Sequence, residues 1–205
     1  MGKKNPAWIQ KHKRDPYFRE ARKKGFRSRS AFKLLQITNS YELLKWGHKV
    51  VDLGAAPGGW IQVARNIVGD NGQILGIDIF PIKPFEFENV RTLELDVNDQ
   101  SIIDKILEED GKVDAVISDL SISMSGVRSL DIAKQIHLAE RSFEIASRVL
   151  VKHGNFLVKT FESPEAQQFF KKVKKNFKRV KFVKPQACKS KSSEVYLIGL
   201  GFRNL

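Results

Sequence analysis

The residues best placed to do chemistry are a lysine inside an apolar segment and four carboxylates at the ends of such segments. Lys159 lies within the run 156–161, most of whose members are apolar. A lysine in a buried strand loses the hydration of its ammonium group, so packing alone does not favour it there. The alternative is a lysine at the strand end whose ammonium group reaches water. The four carboxylates are Asp52, Asp78, Asp96 and Asp119.

A glycine-rich loop follows the first apolar segment and is typical of a nucleotide-binding turn. Residues 50–60, VVDLGAAPGGW, predict a strand, a tight turn and then a helix over about 60–68. Gly54, Gly58 and Gly59 have no Cβ, so a ligand can lie against their backbone. The new helix also begins with unpaired N–H groups. A structural turn without a ligand is the alternative interpretation.

The composition of this loop favours a cationic nucleoside over a phosphate ligand. A phosphate-binding loop would end in Gly-Lys-Ser/Thr, whereas here Trp60 follows Gly59 and Pro57 removes a backbone donor. Asp52 beside the loop would also repel a pyrophosphate. We therefore expect S-adenosylmethionine, whose sulfonium and ammonium groups are positively charged.

The other three carboxylates are candidates for the rest of this ligand site. Asp78 ends the second predicted strand, 73–78, where an acidic side chain can accept hydrogen bonds from ribose hydroxyls. Asp96 ends a short third strand, 93–96, and could accept from the adenine amino group, although a turn-forming role fits it equally well. Asp119 ends the fourth strand. Because the carboxyl ends of parallel strands meet at one edge, we expect all four carboxylates to converge there.

An alternation of strands and helices must position these residues, and it predicts an α/β fold. The last two strands, 180–183 and 194–202, are joined by a short polar loop and should therefore be antiparallel. The loop 120–130 should be a flexible segment on the substrate side. Three further helices are predicted from the apolar spacing. The first spans 31–37 and has its N-cap within 28–30, and the second spans 131–150 with Gly154 as its C-terminal cap. The third spans 164–175 with Ser163 as its N-terminal cap.

The positive charge is concentrated in two segments. The net charge is +13, yet residues 1–40 hold twelve Lys or Arg with two acids, and residues 171–191 hold ten with none. Residues 41–170 carry thirteen Lys or Arg against twenty acids. This pattern predicts that RNA is bound by the basic flanks and a cationic small molecule by the centre, although two solvated lysine-rich faces are the alternative.

Length and composition predict one soluble domain. We expect a basic RNA-contacting extension over 1–27, with a tail packed on the domain as the alternative, and a single domain over 28–205. No apolar run reaches the ~18 residues of a membrane span, and no secretory signal is evident. Cys188 is the only cysteine, and the four histidines lack metal-ligand spacing. We expect a cytoplasmic monomer without metal, with an organelle or the nucleolus left open.

Together these features suggest methyl transfer to a nucleic acid. A ribose hydroxyl is a weak nucleophile, so an enzyme must help to remove its proton while aligning it with the methyl carbon. A neutral lysine can accept that proton, and a second positive charge nearby favours the neutral form. Lys33 is the candidate second lysine, and Glu194 is a candidate carboxylate to hold one of the two.

Several motifs resemble those of the FtsJ/RrmJ family of S-adenosylmethionine-dependent 2′-O-ribose RNA methyltransferases. The resemblance covers nearly the whole chain. It implies a Rossmann-like methyltransferase fold with a seven-stranded, mostly parallel sheet, an antiparallel last strand and helices on both faces. It also implies large-subunit ribosomal RNA as substrate, modified at a uridine. The motifs are GFRSRSAFKL at 25–34, the loop 51–60, Ser118-Asp119, Met124-Ser125-Gly126, Val158-Lys159 and Ser193-Glu194-Val195-Tyr196.

The resemblance also assigns residue roles. Its Lys-Asp-Lys-Glu catalytic tetrad falls on Lys33, Asp119, Lys159 and Glu194, with Lys159 implied as the residue that activates the hydroxyl. One departure is Ile122, where the family usually has proline, and it implies a looser loop or a different target nucleoside. The cofactor contacts that it implies fall on Gly58, Trp60, Asp78, Asp96 and Asp119.

Other functions remain open from the sequence. Transfer RNA or an mRNA cap could be the substrate, since relatives of this fold share the tetrad. A non-catalytic RNA-binding ribosome assembly factor would keep the fold and the basic flanks. A nicotinamide oxidoreductase on a similar fold is a third alternative, which a comparison of ligand-induced thermal stabilisation by S-adenosylhomocysteine and NAD would distinguish.

Overall fold

A seven-stranded sheet forms the centre of the computed structural model, which describes residues 15–189 and 192–203. Each of its central strands is rich in Val, Ile and Leu, as expected for strands covered on both faces. The strands are β1 (Lys49–Leu53), β2 (Gln73–Asp78), β3 (Val90–Glu94), β4 (Val113–Ser118), β5 (Leu150–Phe161), β6 (Phe177–Val183) and β7 (Glu194–Phe202).

The strand order confirms the predicted methyltransferase topology. It runs β3-β2-β1-β4-β5-β7-β6, with parallel pairing from β3 to β5. β7 lies between β5 and β6 and is antiparallel to both, so the predicted antiparallel pair is correct. Its register sets Tyr196 opposite Lys159 and Glu194 opposite Phe161, which brings the start of β7 to the carboxyl edge of β5.

Helices cover both faces of the sheet. Leu34, Ile61 and Tyr196 belong to the apolar cluster on one face, and Ile106, Phe143 and Phe169 to the cluster on the other. None of the helices within the described residues is long and apolar enough to cross a membrane. The helices are α1 (Pro16–Lys23), α2 (Ala31–Ser40), α3 (Gly59–Val68), α4 (Ile102–Asp110), α5 (Arg128–Val149) and α6 (Pro164–Lys174).

Several predicted boundaries are wrong, and Gly154 is the most instructive. α5 begins at Arg128 and gives way directly to β5 at Leu150, so Gly154 lies inside a strand and does not cap the helix. A Cβ at Gly154 would lie 3.0 Å from the carbonyl oxygen of Asp114, so the close approach of β4 explains the glycine. The third strand ends at Glu94, which leaves Asp96 beyond it.

The predicted helix starts differ in how they are capped. Ser163 caps α6 as predicted, because its hydroxyl accepts the N–H of Ala166 at 3.1 Å. Ser30 precedes α2, but no hydrogen bond from its side chain caps the helix; its hydroxyl contacts that of Ser28. α2 also continues to Ser40, beyond the predicted end at residue 37.

Residues 15–27 of the predicted extension pack against α2. Asp15 caps α1 by accepting the N–H of Tyr17 at 3.0 Å and pairs with the guanidinium of Arg29. The rings of Tyr17 and Phe26 lie 5.4 and 5.5 Å from that of Phe32. Residues 1–14 lie outside the described residues, so the predicted RNA-contacting role of 1–27 stays a prediction.

Candidate active site

Four charged side chains from four separate elements meet at the carboxyl edge of the sheet. The Lys159 ammonium group lies 3.0 Å from Asp119 Oδ1, and it also donates to the Asp119 carbonyl oxygen at 2.7 Å. The Lys33 ammonium group lies 3.9 Å from the same Oδ1 and 2.5 Å from Glu194 Oε1. The structure therefore brings together all four residues of the predicted tetrad.

The two lysines of this cluster differ in the number of negative charges that they contact. Burial opposes the charge on Lys33, but the negative charges of Asp119 and Glu194 outweigh it and raise the pKa of Lys33. Burial also opposes the charge on Asp119, yet Lys159 and Lys33 lower the pKa of its carboxyl group. Lys33 thus contacts two carboxylates, whereas Lys159 contacts one.

Tyr196 is a member of the cluster to which the sequence argument assigned no role. Its hydroxyl lies 2.7 Å from both Asp119 Oδ1 and Glu194 Oε1. Burial and the two carboxylates raise the pKa of Tyr196 well above its ordinary value, so the hydroxyl keeps its proton. One proton can serve only one carboxylate at a time. The signal was present, because Tyr196 and Glu194 are two apart in a strand and share a face.

Cys188 adjoins the same carboxylate. Its thiol lies 3.6 Å from Glu194 Oε1. Burial and the charge of Glu194 raise the pKa of Cys188 to about 12, so the thiol stays protonated and can donate to that oxygen. The contact keeps the carboxylate in place without adding a charge.

Gln135 on α5 is a second residue that the sequence argument missed. Its side-chain amide donates to the carbonyl oxygens of Leu120 at 3.0 Å and Lys159 at 3.2 Å, and accepts the N–H of Ile122 at 3.4 Å. This side chain is 1% exposed. It joins the loop after Asp119 to the backbone of β5. A glutamine on the same helical stripe as the apolar residues Ala139, Phe143 and Ala146 was the available signal.

The loop 120–130, predicted to be flexible, has a further anchor in Asp131. The Asp131 carboxylate accepts the N–H and the hydroxyl of Ser125, at 2.8 and 2.7 Å, and the N–H of Gly126 at 3.3 Å. These hydrogen bonds lower the pKa of Asp131. Ile122, which departs from the family motif, lies in the part of the loop held by Gln135.

The glycine-rich loop lies at the same edge of the sheet. Gly54 and Gly58 have φ of +79° and +106°, values that side chains with a Cβ rarely adopt. Gly59 has a different reason, because a Cβ there would lie 2.1 Å from Ser28 Oγ. The segment before α2 therefore packs on the loop, and this close packing leaves no room for a side chain at Gly59.

Arg27 holds the outer side of this loop. Its guanidinium donates to the carbonyl oxygens of Pro57 at 3.3 Å, Lys83 at 2.5 Å and Pro84 at 2.8 Å. It also lies 3.6 Å from the centre of the Phe85 ring. Arg27 thus connects the glycine-rich loop to the segment that follows β2.

Asp52 is the clearest indication that the loop holds a cation. Asp52 is 0% exposed, and neither carboxylate oxygen has a hydrogen-bond partner among residues 15–189 and 192–203. Burial, with the charges of Asp119 and Asp78 in support, raises the pKa of Asp52 well above its ordinary value. A buried carboxylate without a partner is costly, and a positively charged ligand would compensate it. The residues present therefore fit a sulfonium- and ammonium-bearing cofactor.

The remaining predicted cofactor residues lie in three different settings. Asp78 is nearly buried and accepts the N–H groups of Ala56 and Phe80, each at 2.9 Å. Asp96 is exposed and accepts the N–H of Asn98 at 2.8 Å, as a turn former does. Trp60 is buried and donates to the carbonyl oxygen of Ser30 at 2.9 Å. Their cofactor contacts stay predictions.

We expect the stability of the ligand-free protein to depend on pH through Asp52. Its raised pKa in the folded state means that the folded protein holds the proton more tightly than the unfolded chain. Relative to Asp52→Asn, the wild type should therefore lose stability as pH rises above 3.8, the ordinary value. Thermal unfolding of both proteins between about pH 4 and 8 measures this difference. A gap between the two that does not change with pH would contradict the unpartnered state of Asp52.

A family model described as FtsJ-like methyltransferase matches residues 26–202. Relatives match over a similar extent. A protein of Methanothermobacter thermautotrophicus named Ribosomal RNA large subunit methyltransferase E is 43% identical over 204 residues, covering 99% of this chain and 95% of its own. A protein of the same name from Coxiella burnetii is 39% identical over 197 residues, covering 93% of this chain and 92% of its own.

Solved structures show the same fold. A Plasmodium falciparum protein described as a ribosomal RNA methyltransferase aligns with a TM-score of 0.76 at 25% identity, over 86% of this chain and 98% of its own. The Methanococcus jannaschii fibrillarin, at 20% identity and a TM-score of 0.56 over 78% of this chain and 69% of its own, shares the fold alone. On the match over residues 26–202 and the identity to its relatives, the chain belongs to the FtsJ-like methyltransferase family.

Proposed function

We propose that this protein transfers a methyl group from S-adenosylmethionine to the ribose 2′-hydroxyl of a uridine in large-subunit ribosomal RNA. The observation that carries the proposal is the cluster in which both lysine ammonium groups lie within 4 Å of one oxygen, Asp119 Oδ1. The names of the relatives support the choice of ribosomal RNA. The uridine rests on the family resemblance of the motifs.

Lys159 is the residue that accepts the hydroxyl proton. Lys33 is held protonated by two carboxylates, whereas Lys159 contacts one carboxylate among the described residues and shares it with Lys33. Lys159 also lies at the end of β5, where a bound hydroxyl can approach its amino group. A lysine in its neutral form can take the proton of a hydroxyl placed beside it. Glu194, Tyr196 and Cys188 keep Lys33 and Asp119 in position.

The glycine-rich loop and the acidic residues near it would hold the cofactor. Asp52 compensates its positive charge, Asp78 accepts from its ribose, and the loop from Gly54 to Trp60 carries its methionine portion. Asp96 would accept from the adenine amino group, and Asp119, which contacts the lysines, would also contact the cofactor. When bound, S-adenosylmethionine supplies an electrophilic methyl group attached to a good leaving group.

The basic segments 1–40 and 171–191 would bind RNA phosphates. Lys171, Lys175 and Lys181 of the second segment have exposed side chains, as phosphate contacts require. We expect the protein to act as a cytoplasmic monomer with a single domain over residues 28–205 preceded by the basic extension. An exposed basic surface binds RNA with an affinity that falls steeply with salt.

A methyl-transfer experiment tests the substrate. The purified protein is incubated with isotopically labelled S-adenosylmethionine and total RNA from cells that lack the protein, and the RNA species are separated. We expect label in large-subunit ribosomal RNA, on a ribose that becomes resistant to alkaline cleavage. Label confined to transfer RNA would contradict the substrate, and absence of label from every species would favour a non-catalytic RNA-binding function.

A further inference from the structure

A cleft beside the active site has the chemistry of a base-binding site. It lies between the end of α2 and the end of β6, has a volume of about 560 Å³, and we call it the α2–β6 cleft. This volume lies within the ~300–1,000 Å³ of small-molecule sites, so it is large enough for one nucleotide base. Its lining includes Gln36, Asn39, Tyr41, Phe182, Lys184 and Gln186.

The lining combines aromatic, amide and basic groups. Tyr41 is half-buried and lines the cleft. The Lys181 ammonium group lies 6.0 Å from the centre of that ring. Asn39 and Gln186 are exposed amides that can donate to and accept from the edge of a base. Stacking on an aromatic ring with such amides nearby is how proteins bind unpaired bases.

A second cleft continues from the first across the end of β5. We call it the β5-end cleft; it has a volume of about 560 Å³ and is lined by Met124, Arg128, Phe161, Lys184 and Ser193 among others. Lys184 lines both clefts, so they adjoin. Its ammonium group lies 3.5 Å from Glu162 in an exposed pair, which a phosphate can replace at little cost.

Each cleft has a lining residue that is close in the chain to the catalytic cluster. Gln36, in the α2–β6 cleft, lies three residues after Lys33, which is about one helical turn. Ser193, in the β5-end cleft, directly precedes Glu194. The segment that directly follows β6 is attached to α2, because the N–H of Ala187 donates to Gln36 Oε1 at 2.9 Å. This hydrogen bond connects the two walls of the α2–β6 cleft.

We propose that the α2–β6 cleft binds the base of an unpaired RNA nucleotide next to the methylated one. That base stacks on Tyr41, and Lys184 binds the phosphate that joins it to the nucleotide over the β5-end cleft. This inference rests on the proposed function, whose substrate it specifies as a single-stranded segment. A duplex cannot place a base in the cleft without opening a pair.

Binding of labelled oligouridine, measured by fluorescence anisotropy, tests the cleft without requiring catalysis. Tyr41→Ala should raise the Kd for oligouridine about tenfold or more, because a stacking platform is lost, whereas Tyr41→Phe should change it less than about twofold. Lys105→Ala, which removes an exposed lysine on α4 outside both basic segments, is the control for general charge and should have a small effect. An oligouridine–oligoadenosine duplex should bind wild type and Tyr41→Ala alike.

The same variants separate the cleft from the chemistry. With ribosomal RNA as substrate, Tyr41→Ala should raise KM and leave kcat at saturating RNA near the wild-type value. Equal affinities of Tyr41→Ala and wild type for oligouridine, or equal losses in Tyr41→Ala and Tyr41→Phe, would overturn the proposal. If Tyr41→Ala does not fold, the exposed Lys184→Ala and Gln186→Ala carry the test, and unchanged Kd values for both would overturn it.

The two proposals fail in different ways. A wild-type protein that binds oligouridine through Tyr41 but labels no ribosomal RNA would refute the proposed substrate and leave the cleft assignment standing. A protein that methylates ribosomal RNA with no dependence of Kd or KM on Tyr41 would refute the cleft alone.

Discussion

Replacing Lys159 by alanine should abolish methyl transfer while cofactor and RNA binding persist. The side chain is 4% exposed and its ammonium group contacts Asp119 at the strand edge, so it is placed to take a proton from a bound hydroxyl. Loss of a general base costs about 10²–10⁴-fold in rate. The measurement is single-turnover methylation of ribosomal RNA, with thermal stabilisation by S-adenosylhomocysteine as the readout of cofactor binding.

Two further variants identify the reason for this loss. Lys159→Arg keeps the positive charge but cannot become neutral, so it should be as inactive as Lys159→Ala. Lys152→Ala removes an exposed lysine from the same strand and should keep wild-type turnover. Substantial activity in Lys159→Arg would show that the charge matters rather than proton transfer, and full activity in Lys159→Ala would assign the base to another residue.

Asp119→Asn should lose both stability and activity. Asp119 Oδ1 contacts the two ammonium groups and the Tyr196 hydroxyl, so a neutral amide leaves two largely buried positive charges less well compensated. Removing one partner of a buried ion pair costs about 3–5 kcal/mol, and the partial exposure of these side chains favours the lower end. Chemical denaturation at neutral pH, together with the methylation assay, measures the two losses.

The pH dependence of this loss has a defined sign. Because the lysines lower the pKa of Asp119, its stabilising contribution is present above the ordinary value of 3.8 and is lost as pH falls through the lower folded value. The gap between Asp119→Asn and wild type should therefore narrow in acid. Glu108→Gln, at an exposed position on α4, should be within about 0.5 kcal/mol of wild type at neutral pH. A gap that persists unchanged in acid would argue against the ion-pair explanation.

The sequence was sufficient for the parts of the site that depend on strand ends. Lys159 and Asp119 lie at the carboxyl ends of neighbouring parallel strands, so topology alone predicts their proximity. Lys33 and Glu194 were candidates from the sequence, but only the family motifs gave them a place in the tetrad, because nothing in their local spacing says that a helix before β1 meets the start of β7.

The residues that sequence reasoning missed act through tertiary contacts. Gln135 matters because its side chain reaches two backbone carbonyls on separate segments, and Arg27 because it reaches three. Such contacts leave no periodic pattern. Gly154 was predicted to cap a helix because glycine is frequent at helix ends. In the structure it lies in a strand, where the backbone of β4 approaches it closely.

The position of β7 has a consequence for the synthesis of the protein. This strand comes after β5 and β6 in the chain but lies between them, and it carries Glu194 and Tyr196. A nascent chain that has left the ribosome only as far as β6 therefore exposes an open edge of β5 and has no assembled cluster. Enzymatic competence and closure of the sheet thus both depend on the same strand, β7.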